Sequence, residues 1–157
     1  MSADYTLGRL TDAARLPELH ALVLDAFGAL AIDPPSSVLK ETLADFETRL
    51  RGEIVIVAEA DRRLIGCVFC APQDDALYIG RLTVAPGWRR RGLAGALIDA
   101  AKEEARRAGA KRITLRARIM LPGNAALFAR HGFVIVAEHA HAGFTRPTSC
   151  EMAWPVA

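Results

Sequence analysis

The stretch of this sequence best suited to chemistry is an arginine-rich turn that leads into a helix, between Val84 and Gly95. Residues 89–91 are all arginine, and cations at a helix N-terminus are unfavourable unless an anion joins them. Gly92, Ala94 and Gly95 are small, so backbone N–H groups can approach an anion closely. A pyrophosphate would satisfy both features. The alternative is a solvated arginine cluster on a turn.

The turn lacks the Gly-Lys-Ser/Thr ending of a Walker loop and the Gly-x-Gly-x-x-Gly pattern of a dinucleotide site. It resembles instead the Arg/Gln-x-x-Gly-x-Gly/Ala signature of the GNAT superfamily of N-acetyltransferases, at residues 89–94. The preceding residues 82–86 and the following amphipathic helix match that family's context, and residues 124–133 are similar to its second cofactor motif. The motif-level resemblance runs from Ile79 to Val134.

The resemblance implies that acetyl-CoA is the acetyl donor. Backbone groups of Leu82 and Val84 would hold the pantetheine arm like an added strand, and residues 89–95 would hold the pyrophosphate. Asn124 would line the pantetheine and adenine end, although the family's Asn usually stands three residues earlier, at Leu121 here. The cofactor-binding residues implied in this way are Leu82, Thr83, Val84, Arg89, Arg90, Arg91, Gly92, Leu93, Ala94, Gly95, Asn124 and Phe128.

Phe128 departs from the family pattern. Many members have Tyr there to protonate the departing CoA thiolate, and Phe has no proton to give. Either solvent or another group serves as the acid, or the protein binds the cofactor without rapid turnover. Tyr78, on the strand leading into the cofactor site, is the candidate substitute, and a half-buried sheet tyrosine is its structural alternative.

The reaction implied is direct acetyl transfer to an amine of a small molecule or peptide, with a backbone N–H of the Leu82 strand stabilising the oxyanion. The sequence does not identify the general base, because several carboxylates are plausible and most exposed carboxylates are merely solvated. These carboxylates are Asp74, Asp75, Glu138 and Glu151. The rival function is a non-catalytic CoA-binding or sensing module.

Two other clusters carry titratable or metal-binding side chains. Cys67 and Cys70 form a Cys-x-x-Cys string, but residues three apart on a strand point to opposite faces, so both are expected in the core. His139 and His141 could share a face, yet no third ligand stands at a convincing spacing. No metal site is therefore expected, and a role for these histidines in the substrate cleft is the better alternative.

The elements that position these residues follow the order β-α-α-β-β-β-α-β-α-β-β. Such a mixed order predicts an α/β (α+β) fold with a mixed, mostly antiparallel central sheet flanked by helices, as in GNAT proteins. The second helix is expected to be capped by Ser36 or Ser37 and to end at Gly52. The predicted strands cover residues 5–10, 54–59, 64–70, 77–84, 112–118, 133–138 and 149–154.

Composition limits the remaining possibilities. The 157 residues fit one domain over residues 1–157, and a net charge of +2 argues against nucleic acid as a partner. Three cysteines, acidic residues within the first twenty and no long apolar run favour a cytoplasmic protein that does not span a membrane. A homodimer is compatible with the resemblance, with Trp154 as one interface candidate.

Overall fold

The computed structural model describes residues 4–156, and its helices and strands follow the predicted order. The helices are α1 (Leu16–Gly28), α2 (Leu43–Gly52), α3 (Leu93–Ala108) and α4 (Pro122–Arg130). The strands are β1 (Thr6–Arg9), β2 (Ile54–Ala60), β3 (Arg63–Gln73), β4 (Ala76–Val84), β5 (Arg112–Arg118), β6 (Val134–His139) and β7 (Ser149–Pro155).

The seven strands form one sheet in the order β1-β2-β3-β4-β5-β7-β6. Only the β4–β5 pair is parallel, and every other neighbouring pair is antiparallel. This arrangement confirms the predicted mixed, mostly antiparallel sheet. In the described chain, no helix is long and apolar enough to span a membrane.

The two faces of the sheet carry separate hydrophobic cores. One core packs α3 and Phe128 of α4 against the sheet, and Cys70 belongs to it. The other packs α1 and Phe46 of α2 against the opposite face, and Cys67 belongs to that one. The two cysteines therefore lie on opposite faces, as their spacing predicts.

The second helix starts later than the sequence suggested. Ser36 caps only a short 3-10 turn, Ser37–Lys40, because Glu41 then adopts an extended backbone. Thr42 starts α2 with a capping box, in which its side chain accepts from the Asp45 N–H and the Asp45 carboxylate accepts from the Thr42 N–H. Two orphan N–H groups are satisfied at this point, which makes it the preferred helix start.

Gly66 on β3 is required where the sheet meets α3. A Cβ at this position would lie 2.9 Å from the Thr83 carbonyl oxygen and 3.1 Å from a methyl group of Leu93. Because the nearest atom is backbone, Gly66→Ala should lower the free energy of unfolding by about 2 kcal/mol in urea denaturation. Gly8→Ala is the matched control, since a Cβ there has no heavy atom within 4 Å, and it should change little. Equal effects of the two substitutions would contradict this account of Gly66.

Candidate functional site

The central feature of the site is a gap in the sheet. Residues Ala76–Tyr78 of β4 pair with residues Arg112–Thr114 of β5. Beyond Tyr78 and Thr114 the two strands diverge. Further along, β4 keeps β3 as its partner and β5 keeps β7. Each strand therefore presents unpaired backbone groups to the gap, as an edge strand does.

A bulge distorts β4 beside the gap. The β3–β4 register shifts between Cys67 and Phe69, so that β4 carries an extra residue there. Arg81 lies in this bulge with a φ of 55°. Its guanidinium is already bound, because Nε donates to the Glu41 carboxylate at 2.7 Å and the group lies over the Phe69 ring.

A cavity of about 630 Å³ occupies the gap. Its walls come from the end of α1, the segment around the 3-10 turn, β4, β5, the starts of α3 and α4, and the segment between β6 and β7. The lining residues are Ala26, Phe27, Leu30, Ile32, Ser36, Ser37, Val38, Tyr78, Ile79, Gly80, Arg81, Leu82, Thr83, Val84, Arg89, Ala94, Leu115, Arg116, Ala117, Arg118, Leu121, Asn124, Leu127, Phe128, His141 and Ser149.

The alternation of side chains along the strands divides this cavity into two halves. Leu82 and Ala117 belong to the core on the α3 face. The side chains that alternate with them, including Arg116 and Arg118, face the α1 side. The α3 half is mainly apolar and ends at the arginine-rich turn, whereas the α1 half carries the polar groups of β4 and β5.

The N-terminus of α3 lies at one end of the cavity. Gly92 precedes the helix with a φ of 79°, and no side chain caps it. The Ala96 N–H donates to the Gly92 carbonyl at 3.1 Å, so the N–H groups of residues 93–95 precede the first internal hydrogen bond. This uncapped terminus can bind an anion.

The three arginines of the turn add positive charge beside this terminus. In the described part of the chain, none of Arg89, Arg90 and Arg91 forms an ion pair with a carboxylate. Arg91 lies over the Trp88 ring, 4.8 Å from its centroid. The charge of the turn is therefore available to a ligand.

The structure brings most of the residues implied by the resemblance to this one cavity. The lining includes Tyr78, Leu82, Thr83, Val84, Arg89, Ala94, Asn124 and Phe128. Arg90, Arg91 and Gly92 are exposed and lie outside the lining. Leu93 is buried in the α3 core, so only its backbone is available to a ligand. A Cβ at Gly95 would lie 3.1 Å from the His131 ring, which gives that glycine a packing role.

The four acidic residues considered as general bases do not line the cavity. Asp74 and Asp75 form the β3–β4 turn, and the Asp75 carboxylate pairs with Arg112 at 2.9 Å. Glu138 is exposed on β6, and Glu151 contacts the His139 ring at 3.1 Å. In the described chain no carboxylate side chain lines the cavity at all.

His141 is the only histidine that lines the cavity in the described chain. Its ring Nδ1 contacts the Thr148 hydroxyl, which also accepts from the His141 backbone N–H at 3.0 Å. The same hydroxyl can donate to the His139 carbonyl at 3.4 Å. When the hydroxyl donates to this carbonyl, Nδ1 carries the ring proton and Nε2 is free to accept one. Burial, then the charges of Arg118 and Arg116, lower the pKa of His141 below its ordinary value, which keeps the ring neutral.

Cys67, Cys70 and Cys150 are buried free cysteines. Burial raises the pKa values of Cys67 and Cys70 to about 12, so both remain thiols. Over residues 4–156, no cluster of three or more His, Cys, Asp or Glu side chains could hold a metal ion.

Comparison with known proteins identifies a family and a shared fold. The family model described as "Acetyltransferase (GNAT) family" matches residues 16–133. Solved structures of similar fold include a PaiA N-acetyltransferase from Thermoplasma acidophilum in complex with coenzyme A, which is 14% identical with a TM-score of 0.82. The match covers 99% of both chains.

Two further structures show the same fold at similar distances in sequence. A ribosomal-protein-alanine N-acetyltransferase from Brucella melitensis is 21% identical with a TM-score of 0.76, over 96% of this chain and 99% of that chain. A spermidine N-acetyltransferase chimera from Vibrio cholerae and hSSAT is 20% identical with a TM-score of 0.76, over 98% and 96% of the two chains. The TM-scores establish a shared fold, whereas identities this low leave the acceptor open.

Proposed function

Because this chain belongs to the acetyltransferase (GNAT) family, we propose that it transfers the acetyl group of acetyl-CoA directly to the amine of a small molecule. The observation that carries the proposal is the divergence of β4 and β5 beside the uncapped N-terminus of α3. The gap offers unpaired strand edges, and the helix terminus offers N–H groups and arginines. Coenzyme A has amides along its pantetheine arm and a pyrophosphate, which match these two features.

The cofactor contacts follow from this match. Backbone groups of Leu82 and Val84, on the unpaired side of β4, would hydrogen-bond the pantetheine amides as a neighbouring strand does. Arg89 and the N–H groups at the start of α3 would hold the pyrophosphate. Asn124 and Phe128 of α4 line the α3 half of the cavity and would contact the arm from the other side.

Each step of the proposed reaction is assigned to a group of this chain or to solvent. The Nε2 atom of His141 takes the proton from the attacking amine as the new C–N bond forms. A backbone N–H near the β4 bulge stabilises the negative charge that develops on the carbonyl oxygen as the amine adds, and the C=O bond re-forms as the C–S bond breaks. The CoA thiolate then leaves and takes a proton from solvent or from the Tyr78 hydroxyl, because Phe128 has none to give.

The rival function is a CoA-binding or sensing module without turnover. Phe128 favours this alternative because it cannot protonate the CoA thiolate. Calorimetric titration with CoA and acetyl-CoA, followed by thiol release in the presence of an amine panel, separates the two. Binding of both together with amine-dependent thiol release would support the transferase. Binding without release from any amine would favour the module, and the absence of binding would overturn both.

A further inference from the structure

The α1 half of the cavity is positively charged. Arg116 and Arg118 on β5 line it together with His141, and no carboxylate side chain lines it in the described chain. Arg81 also lines this half, but Glu41 neutralises its guanidinium. The excess positive charge therefore comes from the two β5 arginines. Because they are two residues apart on one strand, both side chains lie on the same face.

Arg118 is a half-buried cation that forms no ion pair with a carboxylate among residues 4–156. Its guanidinium donates to the Pro34 carbonyl oxygen at 2.7 Å and to the Pro35 carbonyl oxygen at 3.4 Å. Burial lowers the pKa of Arg118, and the charge of Asp33 opposes this effect. Two neutral carbonyls orient the guanidinium without cancelling its charge, so a bound anion would complete its environment.

Arg116 is similarly available. Glu151 stands directly opposite it on β7, and Ser149 stands opposite Arg118. The Glu151 carboxylate, however, contacts the His139 ring at 3.1 Å, and no ion pair between Glu151 and Arg116 is found. The two guanidiniums thus share one wall of the cavity without a carboxylate partner among residues 4–156.

We propose that the acceptor is a small amino acid-like amine whose carboxylate binds Arg116 and Arg118 while its amine reaches His141. The inference rests on the proposed acetyl transfer and names the substrate class for that same site. A guanidinium matches the geometry and charge of a carboxylate, and two of them would hold it firmly. The same wall repels polyamines and other acceptors that carry only positive charge.

Matched pairs of acceptors test this proposal: each L-amino acid against its carboxamide, with spermidine and an alanine-initiated peptide as further arms. For the best amino acid, we expect kcat/KM to exceed that of its carboxamide by roughly 10- to 100-fold. Arg116→Gln and Arg118→Gln should each reduce this ratio, and the double variant should bring it close to one. Equal use of acid and carboxamide, or better use of spermidine or the peptide, would overturn the proposal.

A binding measurement separates this inference from the proposed function. Sodium acetate, as a carboxylate probe, is titrated against the CoA-saturated protein while the His141 ring signals are followed by NMR at several pH values. Acetate bound by the two arginines should raise the pKa of His141, and the double Gln variant should abolish that shift. Failure of the wild type to respond would overturn the anionic subsite even if acetyl transfer occurs. CoA titration of each variant shows independently that the cofactor half is intact.

Discussion

Replacing Ala94 with Glu is expected to abolish tight binding of CoA and acetyl-CoA while leaving the protein folded. Ala94 lies in the first turn of α3 and lines the cavity where the pyrophosphate is proposed to bind. A carboxylate there would repel the pyrophosphate and would pair with the arginines that the ligand needs. At a separation of about 4 Å, this repulsion costs roughly 2–4 kcal/mol, which raises Kd by about 30- to 1,000-fold.

The same substitution should not harm the helix. A negative charge in the first turn interacts favourably with the helix dipole, by about 0.3–1 kcal/mol. Loss of binding with an unchanged or higher midpoint of thermal unfolding would therefore locate the effect at the ligand. This property makes Ala94 a better test position than Gly92, where the positive φ would strain any other residue.

Ala94→Gln is the matched control for size, because it adds the same length of side chain without the charge. Calorimetry at low and moderate salt should show a small loss of CoA affinity in the Gln variant and a large loss in the Glu variant. The difference between the two variants should decrease as salt screens the charges. If the Glu and Gln variants bound equally well, the pyrophosphate would not lie at the start of α3, and the cofactor assignment would be overturned.

The sequence was most informative where local chemistry decides the structure. The strand periods and the positions of Pro and Gly predict the element order and the mixed sheet, because each signal acts within a few residues. The second helix shows the limit of this reasoning. Both Ser36 and Thr42 can cap a helix, and only the capping box formed with Asp45 decides between them.

The sequence predicts the proposed cofactor half of the cavity, whereas it does not single out the proposed acceptor half. The arginine-rich turn and the small residues after it form a local motif, so their relation to an anion can be inferred without a structure. Arg116 and Arg118 show only the alternation of a half-exposed strand in the sequence. Their role depends on the end of α1 and on the segment after β6, which lie far from β5 in the chain and close to it in the cavity.

The general base illustrates the same limit. The acidic residues near the sheet were reasonable candidates by type, yet the fold directs Asp75 to Arg112 and Glu151 to His139. His141 becomes a candidate general base because its ring contacts Thr148. That contact depends on the pairing of β6 with β7, which the sequence does not show. Long-range strand register, which a single sequence specifies weakly, thus determines which titratable group reaches the cavity.

His141→Gln is expected to reduce kcat/KM by roughly 100- to 10,000-fold near pH 7, the range typical of a lost general base. Gln keeps a similar size and can still hydrogen-bond Thr148, so CoA binding should be retained. His139→Gln is the matched control, because this side chain does not line the cavity and Gln can still donate a hydrogen bond to Glu151. Its kcat/KM should change by no more than about twofold. Similar losses in the two variants would contradict a catalytic role for His141.

The pH dependence adds a second, independent criterion. Burial and the charges of Arg118 and Arg116 lower the pKa of His141 below about 6.5, so the free enzyme holds the ring neutral and competent at pH 7. The ratio of wild-type to His141→Gln kcat/KM, which cancels the titration of the acceptor amine, should therefore fall only as the pH drops through that lowered pKa. Replacing both arginines with Gln should move this fall to higher pH. A carboxylate acceptor bound beside the arginines would also raise the pKa of His141. Because kcat reports the enzyme–substrate complex and kcat/KM reports the free enzyme, kcat should fall at a higher pH than kcat/KM.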